Sequence, residues 1–234
     1  MIYVTSELHG YSLEKFKAFL DEVGFSKDDF LYVLGDVIDR GTDGLKILKW
    51  LMSKRNAQLI IGNHESMFLN CDFLFDEITE DSISKLTGTK LENYSVWVAN
   101  GGNVTLEALS AMRNREIQYI LEYLRECPFY EALTVGDRDF LLVHSGFGKN
   151  FSPDKKLSEY TEFDLVWSRP GLNQRYFDDI TVVFGHTPTV LHGEEYRGRA
   201  VFTDTWIDID TGAGIGLNPM LLRLDDMKAF YMKD

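Results

Sequence analysis

Phe30-Leu31-Tyr32-Val33-Leu34 runs directly into Gly35-Asp36-Val37-Ile38-Asp39-Arg40-Gly41. A strand-length apolar run ends in a glycine turn that carries two carboxylates and a guanidinium. The same grammar recurs along the chain. Ile2–Val4 is followed by Ser6-Glu7-Leu8-His9-Gly10, and Gln58–Ile61 by Gly62-Asn63-His64-Glu65. Phe140–Val143 is followed by His144-Ser145-Gly146, and Thr181–Phe184 by Gly185-His186-Thr187-Pro188. Two further runs of strand length lie at Ile207–Ile209 and Met220–Leu224. Between the early strands, Leu13–Val23 places Phe16, Phe19 and Leu20 on one helical face, with Ser12 as N-cap. Gly44–Lys54 and Glu116–Leu124 have similar helical patterns. The order β-α-β-α-β predicts a layered α/β fold with at least partly parallel strands.

Asn70–Asn103 breaks this rhythm. It is polar, turn-rich around Thr87-Gly88-Thr89 and closed by Asn100-Gly101-Gly102-Asn103. It reads as a cap-like insertion with short helices of its own, and Gly146–Lys156 as a further loop. No Pro/Gly/Ser linker divides the chain, so one domain over residues 1–234 is expected.

The chain has 234 residues and a formal charge of −13. That balance argues against nucleic-acid and anionic-membrane partners, whose affinity rests on Lys and Arg neutralising phosphates. It also repels anionic substrates at long range, so a phosphate-handling site needs local cations, either arginine or metal. Cys71 and Cys127 form no C-x-x-C pair and read as buried thiols in a reducing compartment. There is no basic or apolar leader before Ile2-Tyr3-Val4 and no apolar stretch near ~18 residues, which predicts a soluble cytoplasmic protein.

Ligands of α/β sheets bind beyond the carboxyl ends of the strands. Neighbouring strands lie about 4.8 Å apart, so the strand-end turns can converge on one site. Four of the chain's five histidines sit in those turns. Glu7, His9, Asp36, Asn63, His144 and His186 offer imidazole, carboxylate and amide donors with no thiolate, a set suited to Mn, Fe or Zn. Six donors are too many for one tetrahedral ion but fit two ions about 3.5–4 Å apart that share a carboxylate. A hydroxide bridging two cations is nucleophilic at neutral pH, which gives metal-assisted hydrolysis of a phosphoric ester. Arg40, next to the Asp36 turn, and Arg169 in Val166-Trp167-Ser168-Arg169-Pro170 are candidate phosphate binders. His64 is a candidate ligand or proton donor, and Asp39 a candidate to orient its ring.

These motifs resemble the calcineurin-like metallophosphoesterases, in particular the bacterial and phage serine/threonine protein phosphatases. G-D-x-x-D-R-G stands at Gly35–Gly41, G-N-H-E at Gly62–Glu65, V-H-S-G at Val143–Gly146 and G-H-T-P at Gly185–Pro188. Val166–Arg169, Asp210-Thr211-Gly212-Ala213 and Asn100-Gly101-Gly102 resemble further family segments in the same order. The resemblance implies a four-layer αββα sandwich of two mixed sheets flanked by helices. It also implies two divalent ions, manganese foremost, with iron or zinc as alternatives. Glu7, His9 and Asp36 would hold the first ion; Asp36, Asn63, His144 and His186 the second. Arg40 and Arg169 would bind the phosphoryl group, and His64, oriented by Asp39, would protonate the leaving oxygen. The histidine turn has Thr187, whereas phosphodiesterase relatives have a second histidine two residues after the first, which places the chain on the phosphomonoesterase side. One departure is Glu7, where the family's Asp-x-His has aspartate; ligation is expected to be retained but perturbed.

The expected activity is therefore a metallophosphatase acting on phosphoserine or phosphothreonine in proteins, or on a small phosphoester. Hydrolysis of diadenosine polyphosphates or other nucleotides is the alternative, and Glu7 keeps open a weakened phosphatase that only binds a phosphorylated ligand. His192 is expected at the surface. Phe68, Phe73, Phe75, Tyr94 and Trp97 are expected in the core of the insertion, and Asp76–Asp81 on a solvated face.

Overall fold

The computed structural model describes residues 1–232. Its strands are β1 (Ile2–Thr5), β2 (Phe30–Val33), β3 (Ala57–Leu59), β4 (Tyr130–Val135), β5 (Arg138–Val143), β6 (Ile180–Phe184), β7 (Val201–Phe202), β8 (Trp206–Asp208), β9 (Met220–Arg223) and β10 (Lys228–Tyr231). Its helices are α1 (Leu13–Glu22), α2 (Gly44–Met52), α3 (Asn63–Leu69), α4 (Glu80–Ser84), α5 (Gly88–Trp97), α6 (Asn103–Ser110), α7 (Asn114–Glu126) and α8 (Glu162–Val166).

The strands form two five-stranded sheets, ordered β10-β9-β1-β2-β3 and β4-β5-β6-β8-β7. In the first, β1, β2 and β3 run parallel and step in one direction, with α1 and α2 as the crossovers. Same-handed crossovers stepping one way put both helices on one face. In the second, β5, β6 and β8 are parallel and the outer strands β4 and β7 antiparallel. Each sheet is mixed, as expected.

Strand alternation assigns the layers. Val4, Leu34 and Ile60 face the second sheet and pack with Phe140, Leu142, Val183 and Ile207. Tyr3, Leu31, Val33 and Leu59 face the other way, onto Phe16 and Phe19 of α1, Ile47 and Leu48 of α2, and Ile120 and Leu121 of α7. The outer face of the second sheet (Leu141, Val143, Val182, Phe184) is covered by Phe147, Tyr160 and Tyr176 with Leu165 and Val166 of α8. The result is an α/β sandwich with two sheets back to back and helices outside.

Ser12 caps α1 by accepting from Lys15 N–H. The sequence pattern does not announce β4 or β10. Both lie at sheet edges and carry charged residues (Glu131, Lys228), and edge strands lack a clean apolar face. Asn70–Asn103 contains α4 and α5; Phe68 and Trp97 are fully buried and stacked, with Phe73, Phe75 and Tyr94 packed against the same core. No helix among the described residues is long and apolar enough to cross a membrane. Cys71 and Cys127 are buried free thiols.

Candidate metal centre

The carboxyl ends of β1, β2, β3, β5 and β6 meet at one rim. His144 Nδ1–H, after β5, donates to the Leu34 carbonyl at 2.7 Å. A carbonyl can only accept, so the proton sits on Nδ1 and the Nε2 lone pair faces inward. That lone pair lies 2.9 Å from Asn63 Oδ1 and 3.3 Å from His186 Nδ1. His9 follows the same logic: Nδ1–H donates to the Ile38 carbonyl at 3.2 Å, and its buried Nε2 has no hydrogen-bond partner.

Asp36 stands between these groups. Its Oδ1 is 3.5 Å from His144 Nε2 and its Oδ2 3.5 Å from His9 Nε2. Two clusters share it, His9–Asp36–His64 and Asp36–His144–His186, each with its donor atoms within 4.8 Å of one another. Burial opposes its ionisation, but the surrounding imidazoles of His144, His64, His9 and His186 hold its carboxyl well below the usual range.

Lone pairs facing lone pairs in a buried site repel unless a cation lies between them. His9 Nε2 has no hydrogen-bond partner, and His144 Nε2 faces an amide oxygen and a second imidazole. Burial drives protonation of His9 down to about 3 and of His186 to about 2, so neither relieves the crowding by binding a proton near neutrality. Acids crowd the site too. Burial, with Asp36 and Asp210 nearby, raises the Glu7 carboxyl well above its ordinary value. The residues therefore fit a pair of divalent ions bound by nitrogen and oxygen.

Glu7 Oε2 lies 3.2 Å from His9 Nε2, on the side of the first cluster. Its other oxygen accepts from the His186 backbone N–H at 2.9 Å, so the longer side chain bends across to the loop after β6.

Backbone strain is concentrated here. Glu7, His9, Asp36, Asp39, Arg40 and His186 have φ of 54°, 38°, 53°, 69°, 64° and 66°, the left-handed region that non-glycine residues rarely adopt. Glu65 anchors one strained loop: its buried carboxylate accepts from the N–H groups of Asp36 and Val37, each at 2.8 Å, and of Gly62 at 3.1 Å. Gly214 closes the rim, and a Cβ there would lie 2.4 Å from His9 Cδ2 and 2.6 Å from an Arg40 nitrogen.

His64 Nδ1 lies 2.6 Å from Asp39 Oδ2, and Arg40 donates to His64 Nε2 at 3.1 Å. Burial disfavours the imidazolium, but the Asp36 and Asp39 carboxylates outweigh it and raise the pKa of His64 above its ordinary value. Arg169 donates to the His186 carbonyl at 3.0 Å. Arg40 and Arg169 line a cavity of about 300 Å³ together with Glu7, Asp36, Asn63 and His186. Trp167 lines this cavity and also a second one of about 360 Å³, formed with Met67, Asn70, Val96 and Phe163. Every candidate site residue thus gathers at one rim.

Some participants were not singled out from sequence. Asp210 is buried and lines the first cavity; burial pushes its carboxyl up to about 7, with Asp36 adding to the effect against a hydrogen bond from Gly212. The D-T-G-A turn was its only signal. Glu65, Trp97 and Thr105 act through side chains on other residues, which no local pattern reports. His192 departs from expectation: its side chain is 5% exposed, and its ring lies 2.9 Å from the buried Asp208, beside Trp206. The 3₁₀ turn Thr189–Leu191 folds it back onto β8.

A two-sheet α/β fold with a histidine- and aspartate-rich rim defines a class of metal-dependent hydrolases, and comparison with known proteins narrows it. The calcineurin-like phosphoesterase model matches residues 1–210, and the chain belongs to that family. A symmetrical bis(5'-nucleosyl)-tetraphosphatase of Haemophilus ducreyi is 26% identical over 189 residues, 80% of this chain and 58% of that protein. One from Buchnera aphidicola (subsp. Schizaphis graminum) is 35% identical over 95 residues, 40% of this chain and 30% of its own length. The chain thus spans less than two thirds of the length of these relatives. Among solved structures, a candidate diadenosine tetraphosphatase superposes with a TM-score of 0.66 at 15% identity, covering 99% of this chain and 92% of that one. A protein serine/threonine phosphatase from Saccharomyces cerevisiae gives 0.57 at 15% identity, covering 100% and 80%. At such identities the likeness is one of fold.

Proposed function

We propose that the chain is a phosphoric-monoester hydrolase that needs two divalent ions and acts foremost on phosphoserine and phosphothreonine in proteins. The observation that carries this is Asp36, which turns one oxygen to His9 and the other to His144 in a site crowded with unprotonated donors. Glu7, His9 and Asp36 would hold one ion; Asp36, Asn63, His144 and His186 the other. When bound, the pair supplies an activated water nucleophile and offsets charge on the phosphoryl oxygens.

The chain's own residues do the rest. Arg40 and Arg169 bind and orient the phosphoryl group. Arg40, drawn onto phosphate, gives up its contact with His64 Nε2, which is then free to carry a proton. As the P–O bond to the leaving group breaks, that proton passes from His64 Nε2 to the leaving oxygen and completes a serine or threonine hydroxyl. Asp39 holds Nδ1–H and keeps the ring aimed. The strained loops keep these groups in place before substrate arrives.

The charge of the two cavities supports a protein substrate. Among the described residues, Arg40 and Arg169 are the cations lining the first, and the second is lined by Glu162 and by no Lys or Arg. Such a surface suits one phosphoryl group on a neutral or basic peptide better than a long polyanion. A second reading, hydrolysis of dinucleoside polyphosphates, is favoured by the named relatives and by Trp167, an aromatic ring between the cavities.

Turnover of a phosphoserine peptide and of diadenosine tetraphosphate by the Mn²⁺-loaded chain decides between them. A kcat/KM higher for the peptide supports the first reading and the reverse supports the second. Activity on an aryl phosphate that survives Asn63→Ala and His144→Ala would refute both.

A further inference from the structure

We infer that Trp97 and Thr105 are positioning residues for the Asp39–His64 pair, so that the turn joining α5 to α6 belongs to the catalytic apparatus. The inference rests on the reading of His64 as proton donor.

Asp39 is fully buried, and its left-handed backbone, φ 69°, does not by itself set the side chain. Three donors set it instead. Oδ2 accepts from His64 Nδ1–H at 2.6 Å and from the Trp97 indole N–H at 2.9 Å. Oδ1 accepts from the Thr105 hydroxyl at 2.6 Å, and that hydroxyl oxygen accepts from Asp39 N–H at 3.0 Å. Among the described residues no Arg or Lys bonds this carboxylate, so neutral donors some 60 residues away in sequence hold it against rotation.

Trp97 is itself fixed. It stacks on Phe68 with centroids 5.3 Å apart, and a Cβ on Gly102 would lie 2.5 Å from its indole ring, so only glycine fits there. The kinked turn Val98–Gly102 that makes this approach has Gly101 at φ 102°, and the Gly101 carbonyl accepts from Arg40 N–H at 3.2 Å. One irregular turn therefore ties down the ring that aims His64 and the backbone that carries Arg40.

The test separates positioning from bulk stability by chemistry. Protonation matters most for a poor leaving group such as a serine alkoxide and little for 4-nitrophenolate. Thr105→Val keeps the shape and removes the donor; it should lower kcat on a phosphoserine peptide about tenfold with KM little changed, and on 4-nitrophenyl phosphate less than about threefold. Thr105→Ser should recover most of the loss, Trp97→Phe should behave like Thr105→Val, and neither should add to the defect of His64→Asn. Independently of turnover, the zinc-loaded chain should show a far-downfield NMR resonance from His64 Nδ1–H that is lost in Thr105→Val and kept in Thr105→Ser. Equal losses on both substrates, or a resonance indifferent to Thr105→Val, would overturn the inference. A resonance that responds as stated in a chain that hydrolyses no phosphoester would leave the positioning standing and remove the phosphatase reading instead.

Discussion

The two clusters around Asp36 share its carboxylate but are built differently. On the His144 side the donors are fixed in advance: Leu34 holds the His144 tautomer, and Asn63 is the first residue of α3. On the His9 side, Ile38 holds the imidazole at a longer 3.2 Å, and Glu7 gives one oxygen to the His186 backbone N–H. The added methylene of glutamate is absorbed by that bend, which leaves one oxygen near His9. Fixed donors cost less ordering on binding, so the His144 side should hold its ion more tightly than the His9 side.

Removing what the clusters share should have the largest effect. Asp36→Ala should lower turnover of 4-nitrophenyl phosphate by at least about 10³-fold and leave bound metal near zero by atomic emission after gel filtration. Substitutions on either side should then separate them. His144→Ala and His9→Ala should each remove one ion, and titration calorimetry of the two variants should show tighter binding in His9→Ala, which keeps the His144 side. Equal affinities would erase the difference. Restoring aspartate by Glu7→Asp should tighten the weaker ion about tenfold, the size typical of a change in ligand posture, and leave the tighter one unaltered. No change in metal content or turnover would make the glutamate harmless.

The smallest effect lies away from the metals. Asp164 completes the capping box of α8, the helix leading to Trp167 and Arg169: its carboxylate accepts from the N–H and hydroxyl of the N-cap Thr161, and also from the Asn150 side-chain amide. Asp164→Ala should destabilise the fold by about 1 kcal/mol. The Asn150 hydrogen bond, with those from Thr161, lowers the Asp164 pKa, so its contribution is full above the ordinary carboxylate range and fades as pH falls through the lower folded value. The melting temperatures of the two chains should therefore draw together as pH falls below the ordinary carboxylate range.

Much of this could be read from the chain because each donor sits within a few residues of a strand end. Asp36, Asn63, His144 and His186 stand immediately after or one residue beyond a run of apolar residues, and parallel pairing carries those ends to one rim. What local order does not encode is contact between distant side chains. Trp97 meets Asp39 across 58 residues, and Glu65 meets the Asp36 loop through backbone amides that no pattern of residue types reveals. His192 lies against β8 and not at the expected surface for the same reason, since a polar neighbourhood in sequence gives no sign of Asp208 beneath it. The edge strands β4 and β10 stayed hidden because one side of an edge faces water and loosens the alternation.

The central claim is that Asp36 bridges two cations, and anomalous scattering from crystals grown with Mn²⁺ tests it most directly. Two peaks about 3.5–4 Å apart are predicted, one beside His9 and the other beside His144 and His186, with the Asp36 carboxylate between them. A single peak, or manganese bound away from Asp36, would contradict it.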